Sequence, residues 1–345
     1  MKAVICGYYG KGNGGDEALL VTLLQMLPPG VTPIVLSNNP ALTSQSYSVE
    51  TCGSRDWPMV WKTFKSADVF IWGGGSLMQD VTGRLSPAYY AGLMTLAQRL
   101  GLKTIAWAQG IGPLEHSLTR WATRTTLQEC TAVSVRDYAS AELVANWNIK
   151  AIIAPDPVWA LESKPIQGLW DLPAPRIAVN LRPHSSLTPS RLGAIGEALK
   201  DLQKATGAFI LLVPFQLSQD LALAQTLSGY LPGGSYEIIK LKDPRQLKGL
   251  FRGVEMTIGM RYHSLIMAAA EDCRCFALSY DPKVSRLMTE VGLTGWEMSD
   301  IPDDPHLISR AWLDFYANGE PLAPAKKESL IDRALMHRDI LRVRI

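Results

Sequence analysis

The stretch Val254-Glu255-Met256-Thr257-Ile258-Gly259-Met260-Arg261-Tyr262-His263-Ser264-Leu265-Ile266-Met267-Ala268-Ala269-Ala270 sets the reading of the whole chain. Residues 254–258 read as a short strand, and 265–270 as an apolar helix packed close to a neighbour. The turn between them therefore lies at the carboxyl edge of a sheet, where open α/β folds bind ligands. A helix amino terminus there offers N–H groups outside the helical ladder and a partial positive charge. Arg261 adds a planar fork of donors suited to carboxylate or phosphate, and His263 a group that carries a proton near neutral pH. Anion binding coupled to proton transfer is the chemistry this turn implies.

Outward from that turn the same alternation repeats. Apolar runs at 176–181, 209–213, 237–241 and 276–280 are separated by helical stretches at 189–205, 219–230 and 244–252. In the first half, runs at 3–7, 33–36, 69–72, 104–109, 132–135 and 152–153 alternate with helical stretches such as 17–26, 87–100 and 137–147. Continuous apolar strands alternating with helices predict parallel sheets covered on both faces. Pro155, Pro157, Pro165, Pro173 and Pro175 interrupt the pattern, as an interdomain linker does. The expected architecture is α/β, with two Rossmann-like domains facing across a cleft. Its parts are an N-terminal domain at 1–160, a linker at 161–175, a C-terminal domain at 176–323 and a terminal helix at 324–345. That helix is expected to pack across the domains. Lipid contact through Arg333, Arg338, Arg342 and Arg344 is opposed by Glu328, Asp332 and Asp339.

The 345 residues suffice for two domains; 47% hydrophobic and 19% charged residues mark a packed soluble protein. A formal net charge of +2 gives no basis for nucleic-acid binding. The apolar run that follows Met1 is too short for a signal peptide or a membrane span, which points to the cytoplasm. The five cysteines are odd in number and scattered, and Cys273 and Cys275 lack the spacing and partners of a zinc site. Neither a metal nor a cofactor is expected.

Further glycine loops end other strands. Gly10-Lys11-Gly12-Asn13-Gly14-Gly15 fits G-x-G-x-x-G. Asp16 and Glu17 follow at once, however, and no acidic residue ends the second strand, so a dinucleotide is disfavoured. A sugar contact through Asn13, Gly14, Gly15 and Asp16 and a plain capped turn remain level. Gly73-Gly74-Gly75-Ser76-Leu77-Met78-Gln79-Asp80 lets backbone approach a ligand through Gly74 and Gly75. Ser76 and Gln79 would meet sugar hydroxyls, and Asp80 could act with them or as a general base. Arg136 reads equally as an anion ligand or as a surface ion pair. In the second half, Arg182 and His184 end one strand, and Lys283 starts a helix after another. With Arg261 and Ser264 they outline an anion pocket around His263. His116, His306 and His337 read as structural.

Taken together, the segments 10–17, 73–80, 259–263 and Tyr280-Asp281-Pro282-Lys283-Val284 resemble the polysaccharide pyruvyl transferases, and within them the bacterial cell-wall ketal-pyruvyl transferases. The resemblance implies a GT-B-like glycosyltransferase architecture. It also implies transfer of pyruvate from phosphoenolpyruvate, as a ketal, to two hydroxyls of a sugar such as N-acetylmannosamine. The donor would lie against Arg261, His263 and Lys283, with Arg136, Arg182, His184 and Ser264 as further donor ligands. The acceptor, a polysaccharide or lipid-linked oligosaccharide, would lie near Asn13, Asp16 and the 73–80 loop. His263 would be the acid and Asp80 or Asp16 the base. Peripheral membrane contact through a lipid-linked acceptor is compatible with this reading. The alternative is a GT-B glycosyltransferase that uses a nucleotide sugar.

Overall fold

The computed structural model describes residues 1–81 and 85–344. They form two α/β units, Met1–Leu161 with the segment from Ser329 onward, and Glu162–Glu328. The strands of the first unit are β1 (Lys2–Cys6), β2 (Thr32–Ser37), β3 (Glu50–Gly53), β4 (Val69–Trp72), β5 (Gly75–Met78), β6 (Lys103–Ile111), β7 (Ala132–Val135) and β8 (Ile152–Ile153). All are parallel, in the order β3-β2-β1-β4-β6-β7-β8, with β5 beside β6. The second unit holds β9 (Arg176–Asn180), β10 (Phe209–Leu212), β11 (Tyr236–Ile238), β12 (Met256–Gly259), β13 (Arg274–Ser279) and β14 (Thr294–Glu297). These pair in parallel in the order β11-β10-β9-β12-β13-β14. Each sheet therefore reverses direction once, between β1 and β4 in one unit and between β9 and β12 in the other. Loops leaving the carboxyl ends of those strand pairs diverge and leave room for a ligand.

The side-chain period of two divides each central strand between two cores. Val4 and Cys6 pack with Leu36, Phe70 and Trp72 on one face of the first sheet. Ala3 and Ile5 pack with Val35, Val69 and Ile71 on the other. Several helices open with Asp-Pro. In Pro244–Leu250, Pro282–Val291 and Pro305–Asn318, the preceding aspartate accepts a first-turn amide, and proline supplies a φ already suited to the helix.

Three strands lie outside the sequence reading. β3 and β14 are sheet edges, and neither carries a continuous buried run: Cys52 is the only buried residue of β3, and β14 has none. β5 occupies what reads in the sequence as the continuation of a glycine turn. The tail, expected as one helix, is two, Pro324–Ala334 and Met336–Arg344, broken at Leu335. The second buries His337, Ile340 and Leu341 against the first sheet. His337 is structural, as expected. Its Nδ1 pairs with Ser134 Oγ and its Nε2 with the Pro155 carbonyl, each at 3.0 Å. Among the described residues no helix is long and apolar enough to cross a membrane.

Candidate functional site

In the first unit, the reversal between β1 and β4 brings together both glycine loops of the sequence reading. Gly10 adopts a φ of +75°, and its amide donates to Glu17 Oε1 at 2.8 Å, while Tyr47 Oη donates to Oε2 at 3.1 Å. Burial raises the Glu17 pKa, and these two hydrogen bonds offset it only in part. Asn13 Oδ1 accepts the Gly15 amide at 3.1 Å, so Asn13 caps the helix Gly14–Met26 that Gly14 and Gly15 begin. Asp16 is half-buried on that first turn, and its carboxylate lies 3.6 Å from where a Cβ on Gly75 would stand. The glycines of the second loop have packing reasons of their own. A Cβ on Gly73 would come within 1.8 Å of the buried Tyr9 Oη, one on Gly74 within 2.8 Å of Leu19, and Gly75 needs a φ of +131°. Close approach to neighbouring side chains accounts for Gly73 and Gly74, and backbone conformation for Gly75.

Two expected site residues of this unit are committed to protein partners. Asp80 accepts the backbone amides of Glu115 and His116 at 2.8 and 3.0 Å. Burial works to raise its pKa, but the hydrogen bonds outweigh it and hold the carboxyl below its ordinary value. Asp80 thereby anchors the turn before the helix Ser117–Gln128. Arg136 is buried, with Nη1 on Asp156 Oδ2 at 2.7 Å and Nη2 on Ser76 Oγ at 3.0 Å. It lies over Gly110, where a Cβ would meet its Nε at 2.9 Å. Its ion pair with Asp156 is therefore a buried one and not one at the surface. Gln79 is half-buried beside Asp80.

In the second unit, the reversal between β9 and β12 gathers Arg182, His184, Arg261, His263 and Ser264. Asn180 ties the two strand ends together: its Oδ1 accepts the Arg261 amide at 3.2 Å, and its Nδ2 donates to the Val213 carbonyl at 2.7 Å. The Arg261 guanidinium grips Asp220, Nε to Oδ2 at 2.7 Å and Nη2 to Oδ1 at 2.6 Å. Asp220 Oδ2 also accepts the amides of Phe215 and Gln216, at 3.0 and 2.9 Å. The fork that the sequence offers to an anion is thus filled by a carboxylate of the same unit. Arg261 is the N-cap of the helix Tyr262–Ala270, and Ser264 Oγ donates back to its carbonyl at 2.7 Å. His263 stands half-buried on the first turn of that helix, its ring 5.2 Å from that of Tyr262.

Arg182 is differently placed. Its Nη1 donates to Tyr280 Oη at 2.9 Å, and its guanidinium lies 4.8 Å from the Tyr280 ring centroid. Among the described residues its buried Nε has no hydrogen-bond partner. His184 packs on the same tyrosine, rings 5.3 Å apart. Lys283 Nζ meets Asp281 Oδ2 at 3.4 Å with both side chains about a third exposed. The structure therefore unites Arg182, His184 and Tyr280 at the carboxyl ends of β9 and β13, and Arg261 with Ser264 at the end of β12. Asp156, Asp220, Asn180 and Tyr280 escaped the sequence reading as site residues. Asp220 lies within the helical stretch 219–230, and Asp156 falls among prolines; the available signal was a carboxylate pinned between Pro155 and Pro157.

Solved structures of low identity share this fold. The UDP complex of S. aureus MnaA superposes with a TM-score of 0.68 at 9% identity, covering 99% of this chain and 94% of that one. The UDP-GlcNAc 2-epimerase from Methanocaldococcus jannaschii gives 0.63 at 12% identity, covering 98% and 100%. A glycosyltransferase from Rickettsia africae gives 0.60 at 15% identity, covering 99% and 97%. These likenesses establish the GT-B type of fold. A comparison with curated proteins returned no match. The family model of the polysaccharide pyruvyl transferases matches residues 13–282, from the helix cap Asn13 to the Asp281-Pro282 turn, and the chain belongs to that family.

Proposed function

We propose that this chain transfers the pyruvyl group of phosphoenolpyruvate to two hydroxyls of a polysaccharide sugar, forming a ketal and releasing phosphate. The observation that carries this reading is the set Arg182, His184, Arg261 and His263 at the reversal of the second sheet, in a chain of this family. Phosphoenolpyruvate bears a carboxylate and a phosphate, and needs fixed cations for both. Arg182 and Lys283 supply charge, His184, whose Nδ1 accepts the Ser186 amide at 3.2 Å, offers its other ring nitrogen, the amino terminus of the helix Tyr262–Ala270 receives the phosphate, and Arg261, held by Asp220, fixes their positions. His263 donates a proton to the methylene carbon, leaving an oxocarbenium-like centre at the neighbouring carbon. One sugar hydroxyl adds there and gives its proton to a base. The second hydroxyl adds as the carbon–oxygen bond to phosphate breaks, and phosphate leaves carrying the remaining proton. Asn13, Gly74, Gly75, Ser76 and Gln79 orient the acceptor, free or lipid-linked, of the N-acetylmannosamine class.

The test is phosphate release from phosphoenolpyruvate, measured with and without a lipid-linked N-acetylmannosamine oligosaccharide. General acid–base catalysis is worth roughly 10²–10⁴-fold, so His263→Ala should lose about that much turnover with its melting point unchanged. Full activity in that variant would remove His263 from the mechanism. A nucleotide-sugar donor is the second reading, favoured by a neighbour of this fold solved with UDP. Thermal stabilisation by UDP-sugars, with none from phosphoenolpyruvate, would establish it instead.

A further inference from the structure

We infer that one helical face of the first unit seats on an anionic lipid bilayer. Three helices pack side by side on the face of the sheet that buries Phe70 and Trp72: Trp57–Lys65, Leu85–Arg99 and Ser117–Gln128. Contacts between them make the surface continuous. The Trp57 ring meets Tyr89 at 6.1 Å, Tyr89 Oη donates to the Ser54 carbonyl at 2.7 Å, and Gln98 Nε2 donates to the Thr126 carbonyl at 2.9 Å. Their outer sides are unusually apolar. Trp57, Trp61 and Trp121 are 55%, 44% and 63% exposed, and Met59, Leu85 and Leu118 are exposed beside them. A surface of this kind in a water-soluble unit marks an interaction site.

Two features select a bilayer as the occupant. Indole side chains favour the boundary between hydrocarbon and headgroups, where the ring is apolar and its N–H stays wet. Exposed cations, Lys62, Lys65, Arg120 and Arg124, lie among these residues. Lys65 Nζ sits 5.0 Å from the Trp61 ring, the arrangement of an apolar body with a charged tip beside it. The exposed Asp56 caps the first of these helices, its Oδ1 accepting the Met59 amide at 3.2 Å. Tryptophan with surrounding lysine and arginine is the composition of an interfacial helix on anionic lipid.

The placement also has a functional direction. Each of these helices follows a strand, so its first turn lies at the carboxyl edge of the sheet. Trp57, Leu85 and Leu118 stand in those first turns, at the edge that carries the Gly73–Asp80 loop. Asp80 itself anchors the turn that precedes Leu118. A bilayer on this face would bring lipid-borne sugar to the acceptor loops of the same unit. The inference holds for either donor.

The test is co-sedimentation of the full chain with sucrose-loaded phosphatidylcholine vesicles, with and without phosphatidylglycerol. Binding that requires phosphatidylglycerol is expected. It should be lost in the combined Trp57→Ser, Trp61→Ser, Trp121→Ser variant, and weakened roughly fivefold per cation removed in Lys62→Gln, Lys65→Gln. The charge variant alters only exposed residues and decides the matter if the tryptophan variant fails to fold. Wild-type chain that ignores both vesicle types, or variants that sediment as wild type, would overturn the inference. So would self-association that the tryptophan variant abolishes without any vesicle binding, since a second copy of the chain would then be the occupant. No turnover is measured, so failure here leaves the donor assignment standing.

Discussion

Replacing Asp220 by asparagine tests the centre of the second unit with almost no change of shape. The carboxylate accepts four hydrogen bonds, two from Arg261 and two from the Phe215 and Gln216 amides. Its side chain is 1% exposed, and that of Arg261 8%. An asparagine oxygen in the Oδ2 position keeps the backbone amides satisfied. Its NH2 then faces Arg261 Nη2 donor to donor, and the guanidinium is left buried without a counter-charge. Breaking a buried pair by removing one partner costs about 3–5 kcal/mol, and the retained amide bonds place this substitution near 3 kcal/mol. For a unit of this size, residues 162–328, each kcal/mol moves the melting temperature by about 2–4 °C. Calorimetry on the full chain should therefore show the second unit melting roughly 6–12 °C lower, with the first unit unmoved. Replacing both partners by apolar residues of similar volume should recover most of the loss, since a buried pair and a packed apolar pair differ little in net stability. A fall of less than about 2 °C for Asp220→Asn would refute the assignment of Arg261 to Asp220.

Two further expectations concern the first unit. Burial pushes the His337 pKa down to about 4, below the 6.5 of an exposed histidine, so its contribution is whole above about pH 6.5 and is lost as pH falls toward 4. One proton over that window amounts to roughly 3 kcal/mol, and urea titrations from pH 7 to 4 should show a flatter loss in His337→Gln than in the wild type. Gly73→Ala should destabilise by about 1–3 kcal/mol, because its Cβ would lie 1.8 Å from Tyr9 Oη, and Tyr9→Phe should restore most of that loss in the same thermal scan by leaving the nearest ring atom at 3.0 Å.

Much of the fold was legible because parallel strands covered on both faces must be apolar along their length. Val69-Phe70-Ile71-Trp72 is buried throughout, and its sequence says so. β3 and β14 were hidden because an edge strand can be stable with one buried residue or none. The loops at both sheet reversals were legible as glycine and cation clusters at strand ends. Their internal wiring was not. Whether Arg261 faces a ligand or a carboxylate depends on Asp220, forty-one positions away in sequence and brought close by the strand order. The run Gly73-Gly74-Gly75 was similarly ambiguous, because absence of a Cβ serves a ligand and a tightly packed tyrosine equally well.

That wiring divides the cations into two kinds. Arg136 with Asp156 and Arg261 with Asp220 are buried pairs whose charges cancel within the protein. Such an arginine positions a loop firmly but adds little net field for an incoming anion. Arg182 is bound to a neutral hydroxyl and a neutral ring, so its charge is uncompensated by any of these contacts. Lys283 meets Asp281 in a partly exposed pair of the sort worth about 0–1 kcal/mol, which an anion can exchange. For the proposed donor the charge must therefore come chiefly from Arg182 and Lys283, with His184 stacked on the same tyrosine as Arg182. Arg261 and Asp220 form the frame that keeps the amino terminus of the His263 helix in register with β9. In the proposed mechanism, the motif most conspicuous in the sequence contributes its histidine to the chemistry, while its arginine is committed to Asp220.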